Sequence, residues 1–461
     1  MKNNSNTVRN KAIVIGGSIA GLLAARVLSD FYGTVTILEK DGLPENGGRR
    51  RGVPHAQHAH GVLASGMLVL DELFPDFRKD LREAGGFACD ALNDARWFFQ
   101  GACLKRTPTG ADGALISRPV FENIIRRRVR HIPNVEIIDY CSVNNLLSRN
   151  GRVTGVHVSG GIIEADLVVD ASGRGSRSNR WLEFMDFEAP KEEKIEMRLN
   201  YTTRLFKRRG DELGGDPIVV SPSTPEGKRG GVMIAQEGGY WIATLYGHFR
   251  QEAPGELEGF IQYAKSLEAP YIYDVLRNAE PAGEPEYIRF PASRRRRYEK
   301  LRRFPEGFLA FGDAICSFNP VYGQGMSVAA LEAIALREQL SSGTANLAFR
   351  FFKKAAKIID NPWNMAAGND LRMPETIGPR ALSVKVINWY ISKLHKCAQE
   401  SPVVSRAFMR VAQLLESPGS LLTPSMILRV LFADLRRRIV PTGVKAPNNV
   451  VSSQIGVRPS A

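Results

Sequence analysis

The stretch that most constrains this chain is the apolar run Lys11 to Ile15 followed at once by Gly16-Gly17-Ser18-Ile19-Ala20-Gly21. The run is short and rich in β-branched residues, as a buried parallel strand requires. Leu22 to Leu28 then reads as a helix. A glycine turn between such a strand and a helix is the context in which a dinucleotide phosphate is held. Gly16 permits the sharp turn, Gly21 lets helix and strand approach, and the helix N-terminus faces the pyrophosphate. Ser18 stands where the pattern has a middle glycine and is small enough to allow close backbone approach. A second strand, Thr34 to Leu38, ends in Glu39 and Lys40, with the carboxylate at the distance expected for a ribose hydroxyl.

The same grammar returns twice. A strand ending at Val169 leads into Asp170-Ala171-Ser172-Gly173-Arg174-Gly175, and Gly307 to Phe311 leads into Gly312-Asp313. Asn319-Pro320-Val321-Tyr322-Gly323-Gln324-Gly325 follows, and Met326 to Leu340 reads as a helix. Asp313 at a strand end can accept ribityl hydroxyls. A helix N-terminus aimed at an isoalloxazine ring favours negative charge on the reduced flavin. Three such turns in this order imply FAD rather than a generic nucleotide. Between the first and second lies a basic loop, Gly47-Gly48-Arg49-Arg50-Arg51-Gly52-Val53-Pro54, then His55, His58 and His60. Its arginines suit a pyrophosphate. The spacing of His58 and His60 lacks a third ligand, so no metal is expected. Arg118 precedes a basic helix, Glu122 to His131, with Pro119 suited to its first turn. From spacing alone Arg118 is equally a cofactor arginine or a surface charge.

Charge and cysteines bound the rest. The 461 residues carry a formal charge of +14, which fits an anionic cofactor, an acidic membrane surface or nucleic acid. No zinc spacing, RNA-binding sheet motif or basic recognition helix supports nucleic acid. The scattered Cys89, Cys103, Cys141, Cys316 and Cys397 argue for a reducing compartment and against a disulfide framework. Ala12 to Leu28 is apolar, but its glycines belong to the phosphate turn rather than a signal peptide, and no other window is long enough to span a bilayer. A cytoplasmic location is expected.

Farther along, Val135 to Val143, Gly155 to Val158 and Ile162 to Val169 read as a small antiparallel sheet. Met197 to Phe290 reads as a sheet of Asn200 to Phe206, Gly231 to Ala235 and Tyr240 to Tyr246, with helices at Phe260 to Leu267 and Tyr271 to Asn278; the substrate is expected between it and the flavin. Tyr240 and Trp241 are expected in the core more than in the pocket. Arg294 to Arg297 reads as a solvated or flavin-proximal loop. Past residue 345 the chain is helical, and Leu428, Leu431, Phe432 and Leu435 share a face beside Arg429 and Arg436. Packing against the cofactor domain is the favoured use of that face, with an anionic membrane surface as the alternative. After Pro441 the polar tail is expected to be disordered.

Together these segments resemble the group A FAD-dependent monooxygenases, the para-hydroxybenzoate hydroxylase superfamily. The closer resemblance is to its bacterial natural-product epoxidases and hydroxylases, the group of the lasalocid polyether epoxidase. The resemblance rests on Gly16 to Gly21, Arg50-Arg51-Gly52-Val53-Pro54 with His58-Ala59-His60, Val168 to Ser176, and Gly312-Asp313-Ala314 through Met326. It implies an α/β fold: a Rossmann-type, glutathione-reductase-like FAD-binding domain interleaved with a mixed-sheet substrate domain, plus a C-terminal helical region. The expected divisions are 1–195 and 291–345 for the FAD domain, 196–290 for substrate, 346–441 for the helices and 442–461 for the tail. Cofactor contacts are expected from Gly16, Gly17, Ser18, Ile19, Ala20, Gly21, Glu39, Lys40, Arg50, Arg118, Asp170, Gly173, Asp313, Gly325 and Met326. Pro320 and Gly323 would frame the flavin, with no obligatory catalytic acid or base. Ser172 and Cys316 depart from the superfamily's usual Asp and His. The implied reaction is oxidation of NADH or NADPH, capture of O2 as a C4a-hydroperoxyflavin, and epoxidation or hydroxylation of a hydrophobic secondary metabolite. The rivals are a flavin reductase of a prenyl-type lipid, a halogenase, and a non-catalytic flavin-binding protein. No tryptophan begins the Trp-x-Trp-x-Ile-Pro segment of a halogenase.

Overall fold

The structure, a computed structural model, describes residues 9–439 apart from 46, 47, 49, 51 and 381. Gly47, Arg49 and Arg51 of the basic loop and the tail 442–461 lie outside the described residues.

Five parallel strands carry the turns, in the order Phe308–Ala310, Leu167–Asp170, Arg9–Ile15, Tyr32–Leu38, Val135–Ile138. Ile13, Val14, Val168, Val169 and Leu309 are fully buried, the pattern of a sheet covered on both faces. Ile15 is level with Leu38 and with Asp170, and Asp170 with Ala310. All the turns therefore leave one edge of the sheet. Helices Ile19–Leu28 and Gly325–Ser341 start there and pack on each other.

This arrangement corrects the expected small antiparallel sheet. Val135–Ile138 is the edge of the parallel sheet and Leu167–Asp170 lies inside it. The antiparallel sheet consists instead of Val143–Arg149, Arg152–Val158 and Gly161–Glu164. Burial is the physical reason. Leu167 to Asp170 are inaccessible on both faces, which a hairpin edge cannot provide.

The second large sheet has eight strands, ordered Cys316–Ser317, Pro281–Arg296, Glu192–Lys207, Tyr240–His248, Arg229–Gln236, Ile218–Ser221, Ala95–Phe99, Ala102–Cys103. Its two long strands, each 16 residues, span positions 195 and 290 and pair with each other, with register shifts between Glu196 and Leu199 and between Thr203 and Leu205. The run Arg294–Arg297 is not a solvated loop. It closes the second of these strands, with Arg295 on Asp360 at 2.7 Å and Arg297 on Glu193 at 2.5 Å. These carboxylates, remote in sequence, make four consecutive arginines compatible with burial. Helices Leu257–Lys265 and Tyr271–Leu276 cover one sheet face, where Phe260 of the first helix stacks on Phe206 and shares a buried cluster with Trp241, so Trp241 is a core residue.

Helices Leu347–Asp370, Leu382–Ala398, Pro402–Ala412 and Pro424–Ile439 complete the described chain. The last does not pack on the cofactor domain as favoured from sequence. It buries Val430 in a cluster with Tyr390, Leu394 and Leu421, and leaves Leu428, Phe432 and Leu435 at 55%, 66% and 52% exposure. Trp389, Val386 and Ile387 are also exposed on Leu382–Ala398. Among the described residues no helix is long and apolar enough to cross a membrane. All five cysteines are free.

Candidate flavin site and adjoining cavity

The first turn leaves no room for side chains. At Gly21 a Cβ would lie 1.8 Å from the Gly16 carbonyl oxygen. At Gly16, whose φ is +106°, a Cβ would lie 2.6 Å from the carbonyl oxygen of Ala171 in the second loop. Glu39 ties this turn to its neighbours: it accepts from the Gly17 N–H at 2.7 Å, the Asp41 N–H at 3.0 Å and Arg50 at 2.7 Å. Ser18 donates to Glu122 at 2.5 Å, and Glu122 also binds Arg50, Arg118 at 3.6 Å and Arg126 at 3.4 Å. Two buried carboxylates thus face three arginines, leaving one positive charge in excess at the N-terminus of Ile19–Leu28. Burial works to raise the Glu122 pKa, but Arg118 and Arg50 outweigh it and hold the carboxylate ionised. The Nε atoms of Arg50, Arg118 and Arg126 are buried without partners. Spare donors, spare charge and a glycine cradle fit a dinucleotide pyrophosphate. Arg118 is 9% exposed and is no ordinary surface arginine. Lys40 is exposed at the strand end.

The other two turns close on the first. Ala20 touches the third turn, where a Cβ on Gly312 (φ +63°) would lie 2.8 Å from its methyl carbon. Ile19 is buried in the core. Asp170 is fully buried and gives its carboxylate to its own loop: Ser172 at 2.5 Å, Ser176 at 2.6 Å and Ser178. It holds the second wall in shape, and Gly173 at φ +78° turns that wall outward. Asp313 contrasts with it. It has no hydrogen-bond partner among the described residues; burial raises its pKa to about 6, against Arg118 and Arg174. An unpaired carboxylate between two arginines fits the hydroxyl donors of a ribityl chain. Beside it begin Gly325 and Met326 of the last cofactor helix. Pro320 starts a tight turn capped by Asn319, which accepts from the Val321 N–H at 3.1 Å, and Gly323 closes it at φ +64°.

That turn is also the wall of a cavity. Pro320 to Gly323 line it together with Ile218, Val220, Val232 and Ile234 of the large sheet, Tyr201, Thr244 and Tyr246, and His55 with His58 to Leu63. Cys89, Ala91, Trp97, Gly113 to Leu115, Ile288 and Gln413 complete the lining. Burial lowers the His55 pKa to about 3, assisted by Arg118, and that of His58 to about 4. Behind the turn, Tyr322 donates to Asp370 at 2.8 Å and Asn319 to the same carboxylate at 2.9 Å. Burial raises Asp370 to about 7. Sequence reasoning missed Glu122, Tyr201, Thr203, Thr244, Glu332 and Asp370. Only their three-dimensional company marks them, since each stands in an ordinary helix or strand pattern. Among the described residues no three His, Cys, Asp or Glu side chains gather to hold a metal.

No family model matches the chain. Protein Rv3254 of Mycobacterium tuberculosis is 34% identical over 450 residues, covering 93% of this chain and 94% of that protein. The 6-methylpretetramide 4-monooxygenase of Streptomyces rimosus is 24% identical over 351 residues, 72% of this chain and 75% of the enzyme. Among solved structures, the flavin-dependent brominase Bmp2 superposes with a TM-score of 0.66 at 16% identity, covering 92% of this chain and 99% of Bmp2. PqsL, a probable FAD-dependent monooxygenase from Pseudomonas aeruginosa, gives 0.58 at 15% identity, covering 87% and 98%. Likeness at such identities carries the fold and not the reaction. The chain belongs to the family of Protein Rv3254, and its fold is that of the flavin-dependent monooxygenases.

Proposed function

We propose that this protein is an FAD-dependent monooxygenase that consumes NADH or NADPH and inserts one oxygen atom of O2, by epoxidation or hydroxylation, into a hydrophobic secondary metabolite. One observation supports the reading above the others: the apolar cavity ends on Pro320 to Gly323, the same turn that completes the flavin cradle. A substrate there would lie against the cofactor's ring. Similarity to the 6-methylpretetramide 4-monooxygenase points the same way.

Bound FAD supplies electron transfer and oxygen activation. The chain's own residues do the rest. Arg50, Arg118 and Asp313 bind and orient the cofactor. The apolar wall of Ile218, Val220, Val232 and Ile234 excludes water, which protects reactive oxygen species from wasteful breakdown. His55 and His58 stay neutral near pH 7, so the cavity gains no charge that would favour an ionic ligand.

The test is purification followed by absorption spectroscopy, then NADH and NADPH oxidation and O2 uptake with a panel of polycyclic aromatic and polyene compounds. A yellow protein whose O2 uptake matches formation of a product one oxygen atom heavier supports the proposal. Colourless protein that refuses added FAD overturns it. Substrate reduction without O2 uptake replaces it with a reductase.

A further inference from the structure

His58 lines the cavity at 7% exposure, and its ring Nε2 is buried without a hydrogen-bond partner. An unsatisfied buried polar atom is costly, so one on a residue that lines a ligand cavity calls for a ligand atom. Whether that atom must accept or donate depends on which ring nitrogen carries the proton.

The neighbours decide. The Ala59 N–H donates to Thr244 Oγ1 at 2.9 Å, the hydroxyls of Thr244 and Thr203 are 2.6 Å apart, and Thr203 Oγ1 is 2.7 Å from His58 Nδ1. No other hydrogen bond involves either hydroxyl among the described residues. A protonated Nδ1 could only donate to Thr203. One of the two hydroxyl protons would then be buried with no acceptor, whichever way the threonines turned. If Nδ1 accepts, Thr244 donates to Thr203, Thr203 donates to Nδ1, and both hydroxyl protons have an acceptor, leaving only the ring's own proton for a ligand. The proton of the neutral ring is then on Nε2. Burial, which lowers the ring's pKa to about 4, keeps it neutral. A neutral donor in an apolar wall complements a neutral acceptor, because a carboxylate would be stranded there without a counter-charge.

We propose that His58 is a substrate-binding residue whose Nε2–H, fixed by the row Thr244–Thr203, donates to a ketone or quinone-type carbonyl oxygen on an otherwise apolar substrate. This deepens the monooxygenase reading and rests on the cavity being its substrate site.

Two measurements on the FAD-loaded full chain test it. In protein labelled with 15N-histidine, the His58 signal, assigned by its loss in His58→Phe, should show a pyrrole-type Nε2 and a pyridine-type Nδ1. The reverse tautomer overturns the proposal, whatever the enzyme's activity. In calorimetry, wild type should bind 1-tetralone at least tenfold more tightly than tetralin, the same skeleton without the carbonyl. His58→Phe should abolish that preference while still binding tetralin. Thr203→Val, which frees Nδ1, should reduce it. Equal binding of the two probes by wild type, no binding of either, or a preference surviving in His58→Phe each overturns the assignment. Protein that binds no FAD fails the functional reading instead, and the tautomer measurement separates the two failures.

Discussion

Glu332 offers a test of how the third turn is held. It lies within the helix Gly325–Ser341, fully buried, with Oε2 accepting from the Gly312 N–H at 2.7 Å and Oε1 unpartnered. Burial raises its pKa from 4.5 to about 8, with the Asp313 charge adding to the rise and the Gly312 N–H opposing it. The folded chain therefore keeps a proton that the unfolded chain releases above pH 4.5. Between these two values the native state binds more protons, so the stability from this group is complete in acid and lost as pH rises. The loss grows by about 1.4 kcal/mol per pH unit, reaching about 3 kcal/mol near pH 7 and under about 1 kcal/mol near pH 5. Glu332→Gln keeps an acceptor for Gly312 and cannot ionise. Its stability relative to wild type should rise by about 2.5 kcal/mol from near pH 5 to near pH 7. Urea unfolding of both proteins at the two pH values measures this. Contributions of other titrating groups, such as Asp370, and any packing cost of the amide cancel in the double difference. An unchanged gap between variant and wild type would refute a neutral Glu332 behind the turn.

Other predictions concern the cradle and the surface. Gly21→Ala drives a methyl group into the Gly16 carbonyl, so the purified protein should lose bound flavin, as its absorption spectrum would report; full retention sinks the first-turn reading. Arg118→Met removes a buried guanidinium with a spare Nε, and a lost charge-assisted hydrogen bond of about 1.5–3 kcal/mol should weaken FAD roughly ten- to a hundredfold in fluorescence titration. The outward face Leu428, Leu431, Phe432 and Leu435, flanked by the exposed Arg429 and Arg436, is proposed to rest on anionic lipid. The chain should sediment with phosphatidylglycerol vesicles and not with phosphatidylcholine, and Phe432→Asp should release it; no difference between the lipids rules that use out.

How much of this was legible depended on the range of the interactions. The turn at Gly16 to Gly21 is a local matter of strand, glycine and helix, and its form is visible in ten residues. The meeting of that turn with Ala171 and Gly312 was legible as an order of motifs but not as contacts. Strand partners were harder. Short strands such as Val135–Ile138 and Leu167–Asp170 bear no mark of their neighbours, so sequence alone groups them with the hairpins beside them. Arg294 to Arg297 looked like a loop because the carboxylates that neutralise them, Glu192, Glu193 and Asp360, are up to about a hundred residues away. Glu122 was invisible for the same reason. Within a basic helix it resembles a solvated acid, whereas it is the hub of the arginines at the cofactor turn.

Trp97 and Gln413 belong at once to the cavity lining and to the C-terminal helices' surroundings, with Trp97 packed on their apolar cluster and Gln413 accepting from the Ala64 N–H at 2.9 Å. A residue just past the helix Pro402–Ala412 thus reaches a chamber whose other walls come from the large sheet and from the flavin turn itself. On the monooxygenase reading, replacing Gln413 should change which ligands the chamber accepts while bound flavin is retained, since the residue lies in the lining and outside the glycine cradle.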